Sequence, residues 1–384
     1  YNTSVGFSAL EANTTGASNN ALGAYALQAN TTGGNNTALG YQVLKLNTTA
    51  SENTGVGHNT LSANTTGAGN LGVGFQVLRG NTTANYNTGV GYDALVYNTT
   101  GTENVALGAF ALDANTTASY NVAIGKGALS ANTTADNTTG GSNTAVGKNS
   151  MAANTTGAEN AAFGINSLSL NTTASGNTAL GKGSMYNNTT GASNTAVGWN
   201  TLDANTTGAN NTAVGYEALG ANTTGHSNTA VGYQTADTTT TGSNVTVLGY
   251  TALASSATAD NEVTLGNSGV GTLRCQTQTI SSLSDARDKT DVIDLPYGLD
   301  FINKTRPVQY KWDIRDADDS NPHQGKTRNG FIAQELLALG DNKQHQLVLE
   351  NNPEKLEAAY GGLLPMMVKA IQELSTKNDA LVAR

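Results

Sequence analysis

Proline is absent from the first 295 residues of this 384-residue chain; all five prolines, Pro296, Pro307, Pro322, Pro353 and Pro365, lie beyond them. Charge is almost as scarce there, with 17 charged residues up to Val270 against 30 in the 114 residues from Gly271 onward. This contrast places a domain boundary near 271 to 284. Cysteine occurs once, as Cys275, which excludes an intrachain disulfide framework and a cysteine metal site. The four histidines, His58, His226, His323 and His345, have no ligand spacing, so neither a metal nor a cofactor is expected. A net charge of -9 argues against a nucleic-acid partner, whose binding needs a basic face. There is no run of 18 apolar residues and no charged-then-apolar leader, so no membrane insertion or secretion signal is expected. The chain opens at Tyr1, inside a repeat, and reads as a fragment or processed piece of a longer protein.

What is present is glycine, 45 residues of it, and a repeat. Glycines recur at 6, 23, 40, 57, 74, 91, 108 and 125, then at 147, 164, 181, 198, 215, 232, 249 and 266. The period is 17 across 16 units, broken once by a five-residue insertion, Ala135-Asp136-Asn137-Thr138-Thr139. Asn211 to Ser227 is a representative unit: Asn-Thr-Ala-Val-Gly-Tyr-Glu-Ala-Leu-Gly-Ala-Asn-Thr-Thr-Gly-His-Ser. Seventeen residues are too few for the helix pair of an α-solenoid, and glycine, threonine and β-branched residues favour short strands joined by turns. We therefore expect a mostly β protein, with a β-solenoid or β-roll shaft over residues 1–270.

The residue before each glycine is apolar, from Val5 to Leu265, and Leu or Met stands four after it in most units. In one straight strand these two positions point to opposite faces, so a bend at the glycine is expected to turn both inward. The Asn-Thr-Thr-Gly segment supplies the other turn, because Asn and Gly tolerate a left-handed backbone. Two large apolar groups per coil give ~1.5 to 3 kcal/mol each. Ordering costs ~1 to 2 kcal/mol per backbone residue. The shortfall is met most easily if several chains share an interior, and a trimer is expected. The repeated Asn-Thr-Thr is formally a glycosylation sequon, but turn geometry accounts for its periodicity.

These Asn-Thr-Ala-Val-Gly units resemble the head repeats of YadA-like trimeric adhesins and repeats of phage tail fibres. The resemblance covers about 265 residues and implies a parallel β-roll assembled three-fold, although the unit here is longer than the usual adhesin head repeat.

After the shaft, residues 271–283 read as a linker or stalk, and 284–384 as a small α+β domain. A short helix is expected over Pro296 to Asn303, a strand over Val308 to Trp312, a polar loop over Asp313 to Thr327, a helix entered through Gly330 to Leu336 and a strand over Leu347 to Leu349. In the final helix, 363–382, Leu364, Met367, Ile371, Leu374, Asn378 and Leu381 follow the 3-4 spacing of a coiled-coil seam. An amphipathic helix packed on its own domain fits the same pattern.

Ser284-Asp285-Ala286-Arg287-Asp288-Lys289, then Arg306-Pro307-Val308-Gln309-Tyr310-Lys311-Trp312 and Gly330-Phe331-Ile332-Ala333-Gln334-Glu335, resemble the intramolecular chaperone domain of endosialidase-type phage tail spikes and fibres. That resemblance implies a domain that trimerises, drives folding of its β shaft and cuts itself off before the serine. Ser284 would be the nucleophile, Lys289 the base and Leu283–Ser284 the scissile bond. A lysine can accept that proton only when neutral, so burial or nearby positive charge must depress its pKa from ~10.4.

Residues just after the repeat glycines include Tyr41, Phe75, Tyr92, Trp199, Tyr216, Tyr233 and Tyr250. They are expected to stack between coils, and an exposed aromatic stripe of this kind can bind saccharide. The twelve acidic residues before 271 show no evident pair for glycoside hydrolysis. The expected function is a homotrimeric phage fibre, carried on the virion, that binds a host-surface glycan or protein receptor. A bacterial trimeric surface adhesin with the same chaperone and a polysaccharide-degrading tailspike are the alternatives. Self-cleavage is the only enzymatic activity expected.

Overall fold

Most 17-residue units devote three residues, Thr-Ala-Val or a close variant, to a strand, and three consecutive units extend it to five, as in Thr88–Tyr92. Sixteen such strands, β1 (Thr3–Val5) through β16 (Val263–Leu265), stack in chain order into one parallel sheet. The computed structural model describes residues 1–133, 141–270, 289–311, 313, 325–340, 342–350 and 356–383. It divides into two compact units, Tyr1–Gly266 and Asn267–Arg384. The first is the expected β-solenoid. Partners lie one repeat apart, as in Thr195↔Thr212, Ala196↔Ala213 and Val197↔Val214. At the single longer coil β8 (Val122–Ile124) still pairs in phase with β9 (Thr144–Val146), Val122 facing Thr144. The insertion at 135–139 lies outside the described residues, as do 271–283.

The interior differs from expectation. The buried strand residue is the small one, Ala38, Ala106, Ala145, Ala196 or Ala213, while the larger residue before the glycine faces outward. Val5, Leu22, Leu107, Leu180 and Leu265 are each 46% to 58% exposed. The strand stays straight through that residue, so the two-residue alternation holds and the bend at the glycine comes too late to turn it inward. Gly74 has φ of 134°, and a Cβ there would meet the Gly91 carbonyl oxygen of the next coil at 1.8 Å. The Leu or Met four residues on does point inward, and twelve such side chains are wholly buried. It gets there by adopting a left-handed backbone, with φ of 51° at Leu44 and 52° at Leu202. That conformation costs ~1 to 2 kcal/mol in a non-glycine residue. Burying the leucine returns ~1.5 to 3 kcal/mol, so packing roughly offsets strain.

The asparagines are the second surprise. Among the described residues, those of Asn-Thr-Thr are not in left-handed turns but, from Asn30 onward, inside, in a hydrogen-bonded ladder. Asn205 Nδ2 donates to Asn188 Oδ1 of the preceding coil at 2.8 Å and to the Gly208 carbonyl at 2.9 Å. The asparagine before each strand but the last two forms a parallel ladder, in which Asn194 Nδ2 also donates to the Gly208 carbonyl at 2.8 Å and Asn194 Oδ1 accepts from the Asn211 amide at 2.9 Å. Two interior columns of amides thus replace the second hydrophobic column expected from sequence, each bond contributing ~0.5 to 1.5 kcal/mol net. A fully buried sequon asparagine such as Asn205 has no free amide to carry a glycan in the folded coil.

The second unit is α+β. Helix α1 (Leu299–Ile302) is followed by the antiparallel pair β17 (Val308–Lys311) and β18 (Thr327–Gly330), then α2 (Ala333–Leu337) and α3 (Asn342–His345). The short pair β19 (Val348–Leu349) and β20 (Glu357–Ala358) leads through a 3-10 turn to α4 (Leu363–Val382). The expected helix over 296–303 shrinks to four residues, and Gly330 ends a strand rather than opening a helix. The core gathers Leu336, Leu347, Val348, Leu363 and Met366, with Phe301 and Phe331 packed against it.

Candidate functional site

Sequence stretches that lie far apart in the C-terminal unit come together through β17 and β18. Val308 pairs with Gly330 and Tyr310 with Arg328, which sets the Arg306–Lys311 stretch beside the Gly330–Glu335 stretch. The Arg306 guanidinium then closes a two-nitrogen salt bridge on the Glu335 carboxylate, 29 residues away. This contact raises the Arg306 pKa and holds the Glu335 carboxyl below its usual range. The Tyr360 hydroxyl packs against Gly330, 2.6 Å from where a Cβ would stand, so a side chain at this position would displace it. Tyr360 Oη accepts from the Phe331 amide at 3.3 Å, and burial beside Tyr360 raises the Tyr310 pKa.

Helix α4 ties this unit together from its C-terminal side. Leu363, Met366 and Ala370 are buried against the unit, and Glu373 Oε2 accepts from the Leu299 amide at 2.8 Å, supplying the first amide of α1 with a partner that no local side chain provides. Leu364, Met367, Ile371, Leu374 and Leu381 stand on the other side, 48% to 68% exposed. Each reading of the helix pattern therefore describes one of its faces: one packs on its own unit, and the heptad positions remain uncovered in the single chain.

Residues 284–343 match the family described as chaperone of endosialidase. No curated protein and no solved structure matches the chain. The match spans 60 of the 384 residues, counted from 284 to 343, and takes in the chaperone-like stretches around Lys289, Arg306 and Gly330, but not α4. Of the expected cleavage machinery, Lys289 is exposed, while Leu283 and Ser284 lie outside the described residues.

On the shaft, the aromatic residues that follow the glycines do stack. Tyr41, His58, Phe75 and Tyr92 form one ladder with ring centroids 5.0 to 5.2 Å apart. Tyr216, Tyr233 and Tyr250 stack in a second, with Trp199 edge-on to Tyr216 at its head, and neighbouring centroids are 5.1 to 5.3 Å apart. Two rungs sit one residue later than the rule allows: where Ala24 or Ala109 follows the glycine, Tyr25 or Phe110 reaches in to continue the first ladder, edge-on. Each ring pair adds ~0.5 to 1.5 kcal/mol beyond its burial. Most of these rings remain open at the surface, Trp199 at 50% and Tyr250 at 66% exposure.

Carboxylates that are dispersed in sequence also meet here. Burial raises the carboxyl pKa of Asp203 and Asp237, and both lie near enough to Glu217 for its charge to raise them further. Asp113 is raised in the same way, by burial first and by Asp93 of the preceding coil last. Among the described residues no group of three or more His, Cys, Asp or Glu could hold a metal ion, and no helix is long and apolar enough to cross a membrane.

Proposed function

We propose that this chain is a homotrimeric receptor-binding fibre of a bacteriophage, in which the C-terminal domain drives three shafts to fold together and then cuts itself free before Ser284. The observation that carries the reading is the outward column just before the repeat glycines. All sixteen positions, from Val5 through Phe163 to Leu265, are Val, Leu, Ile or Phe, and they run along the outside of one sheet for roughly 75 Å. A monomer rarely leaves so long an apolar stripe in water. Three copies meeting on this column would bury it, and the uncovered heptad face of α4 would do the same at the other end of the chain. The likeness of the units to YadA-like trimeric adhesin heads points the same way. A bacterial surface adhesin with the same chaperone is the second reading, since the repeat fits it equally.

The cleavage half of the proposal rests on the match to the chaperone of endosialidase over 284–343. Ser284 Oγ attacks the Leu283 carbonyl carbon while Lys289 takes the hydroxyl proton. The peptide C–N bond breaks, the proton passes to the departing Ser284 amine, and water hydrolyses the resulting ester to a Leu283 carboxylate. Lys289 is exposed in the single chain, and assembly of three copies would supply the burial or nearby positive charge that a neutral lysine requires. Cleavage would then follow folding.

Light scattering of the uncut Ser284→Ala protein is expected to give three times the 39.2 kDa chain mass, and a monomer at micromolar concentration would refute the assembly. Denaturing gels should show pieces of 283 and 101 residues from the wild type and one uncut band from Ser284→Ala and Lys289→Ala. Two bands from the lysine variant would remove Lys289 from the chemistry.

A further inference from the structure

Beside the uniformly apolar column runs another, made by the residue just after each glycine, and its composition follows a different rule. It reads Phe7, Ala24, Tyr41, His58, Phe75, Tyr92, Ala109, Lys126, Lys148, Ile165, Lys182, Trp199, Tyr216, Tyr233, Tyr250 and Asn267. Only five basic residues occur before 271, Lys45, Arg79, Lys126, Lys148 and Lys182, and three of them fall in this one column on nearby coils. All three are exposed, and none makes an ion pair among the described residues. Lys182 Nζ lies 5.1 Å from the centroid of the Trp199 ring, so the cationic stretch runs directly into the second aromatic ladder. The next position along the chain, which flanks this stretch, is occupied by Gly127, Asn149, Asn166, Gly183 and Asn200, with no carboxylate among them.

Such a column does not suit the subunit interface proposed above. Three-fold packing on it would bring three copies of each unpaired lysine toward one another, out of water and without counter-charges, at a cost of several kcal/mol per ion. The column therefore faces solvent, next to the apolar seam. From Lys126 to Trp199 it spans four coil steps, about 19 Å. Three cations on an otherwise acidic shaft, leading into a half-exposed tryptophan, present charge for carboxylates and an aromatic surface for the apolar faces of sugar rings.

We propose that the column from Lys126 to Trp199 is a binding site for an anionic, carboxylate-bearing polysaccharide lying along the shaft. This deepens the receptor-binding reading of the shaft and rests on it. A nucleic acid carries a charge at every phosphate and is bound through more basic contacts than the three lysines offer, and a neutral glycan would gain nothing from their charge.

The test uses the full chain and affinity electrophoresis through gels containing alginate (a uronate polymer), dextran (a neutral one) or polyglutamate (an anionic polymer without sugar rings), at low salt. We expect retardation by alginate alone. The triple substitution Lys126→Gln, Lys148→Gln, Lys182→Gln should weaken it about tenfold or more, consistent with three exposed charge contacts, and Trp199→Ala should weaken it as well. Circular dichroism melting should leave the triple variant unchanged, since all three side chains are exposed. Equal retardation of the triple variant, or equal retardation by polyglutamate, overturns the proposal. Retardation by dextran alone overturns the lysine assignment yet leaves saccharide binding standing. If no polymer retards the wild type, the proposal is overturned, and adsorption of the fibre to a panel of bacterial cells decides the receptor reading separately.

Discussion

Replacing Asn87 by Ala would remove one rung from an interior amide ladder, and the consequences can be followed atom by atom. Asn87 Oδ1 accepts from the Asn104 backbone amide at 3.0 Å and from Asn104 Nδ2 at 3.1 Å, while its Nδ2 donates to the Gly101 carbonyl at 2.9 Å. After truncation the Gly101 carbonyl keeps its bond from Asn98, and Asn104 Nδ2 keeps the Ala118 carbonyl. The Asn104 amide, however, has no other acceptor and sits in a wholly buried residue. One orphaned buried N–H costs ~1 to 3 kcal/mol, and the further lost bonds bring the total to about 2 to 4 kcal/mol.

Because each coil touches only its neighbours, the loss should be local and is best read by native-state hydrogen exchange. The Asn104 amide should exchange about thirtyfold to a thousandfold faster, with distant coils unaffected. Asn87→Gly should do as much harm as Asn87→Ala, because the asparagine is not in a left-handed turn that glycine would tolerate. Asn87→Asp keeps the acceptor but turns a carboxylate toward the Gly101 carbonyl, so acid should partly restore it. Unchanged protection at Asn104 in the alanine variant, or a harmless glycine variant, would refute the ladder as a source of stability.

Gly74→Ala is expected to disrupt its coil outright, at about 4 kcal/mol or more, because the new Cβ would meet the Gly91 carbonyl of the next coil; thermal unfolding would show it. Val90→Glu, on the outward apolar column, should place three carboxylates together in the proposed seam and lower the melting temperature of the assembled trimer while far-ultraviolet circular dichroism at room temperature keeps its β signal; an unchanged melting temperature would place the column outside the interface. Acid should act oppositely on the two units. Asp113 and Asp203 hold protons more tightly folded than unfolded, so their contribution is present below the unfolded pKa of ~3.9 and is lost as pH rises through the raised folded values. Glu335, held low by Arg306, contributes above ~4.3 and loses that contribution as pH falls through its lowered value. Melting of the shaft should therefore shift upward as pH falls through the raised carboxyl values toward ~3.9, while amide protection around Glu335 declines as pH falls below ~4.3; a parallel fall in both would contradict these assignments.

The period, the short strands, the solenoid and the small α+β domain were all legible in the amino-acid sequence, because they depend on spacing and local preference. A repeat of 17 with glycine at one fixed place admits few arrangements other than a stacked coil. The stretches around Lys289, Arg306 and Gly330 were equally visible, being contiguous. The direction in which the residue before each glycine points was not, because it depends on whether the bend falls before or after that residue, and a one-residue difference reverses the face. Nor was the fate of the asparagines: a side chain that favours turns locally finds better partners 14 and 17 residues away, which exist only once the coils are stacked. The left-handed leucines oppose intrinsic preference and persist because packing repays the strain. Arg306 and Glu335 meet across 29 residues, and Glu373 reaches Leu299 across 74. Closure of the chain alone brings such pairs within hydrogen-bonding distance, and no local pattern records them.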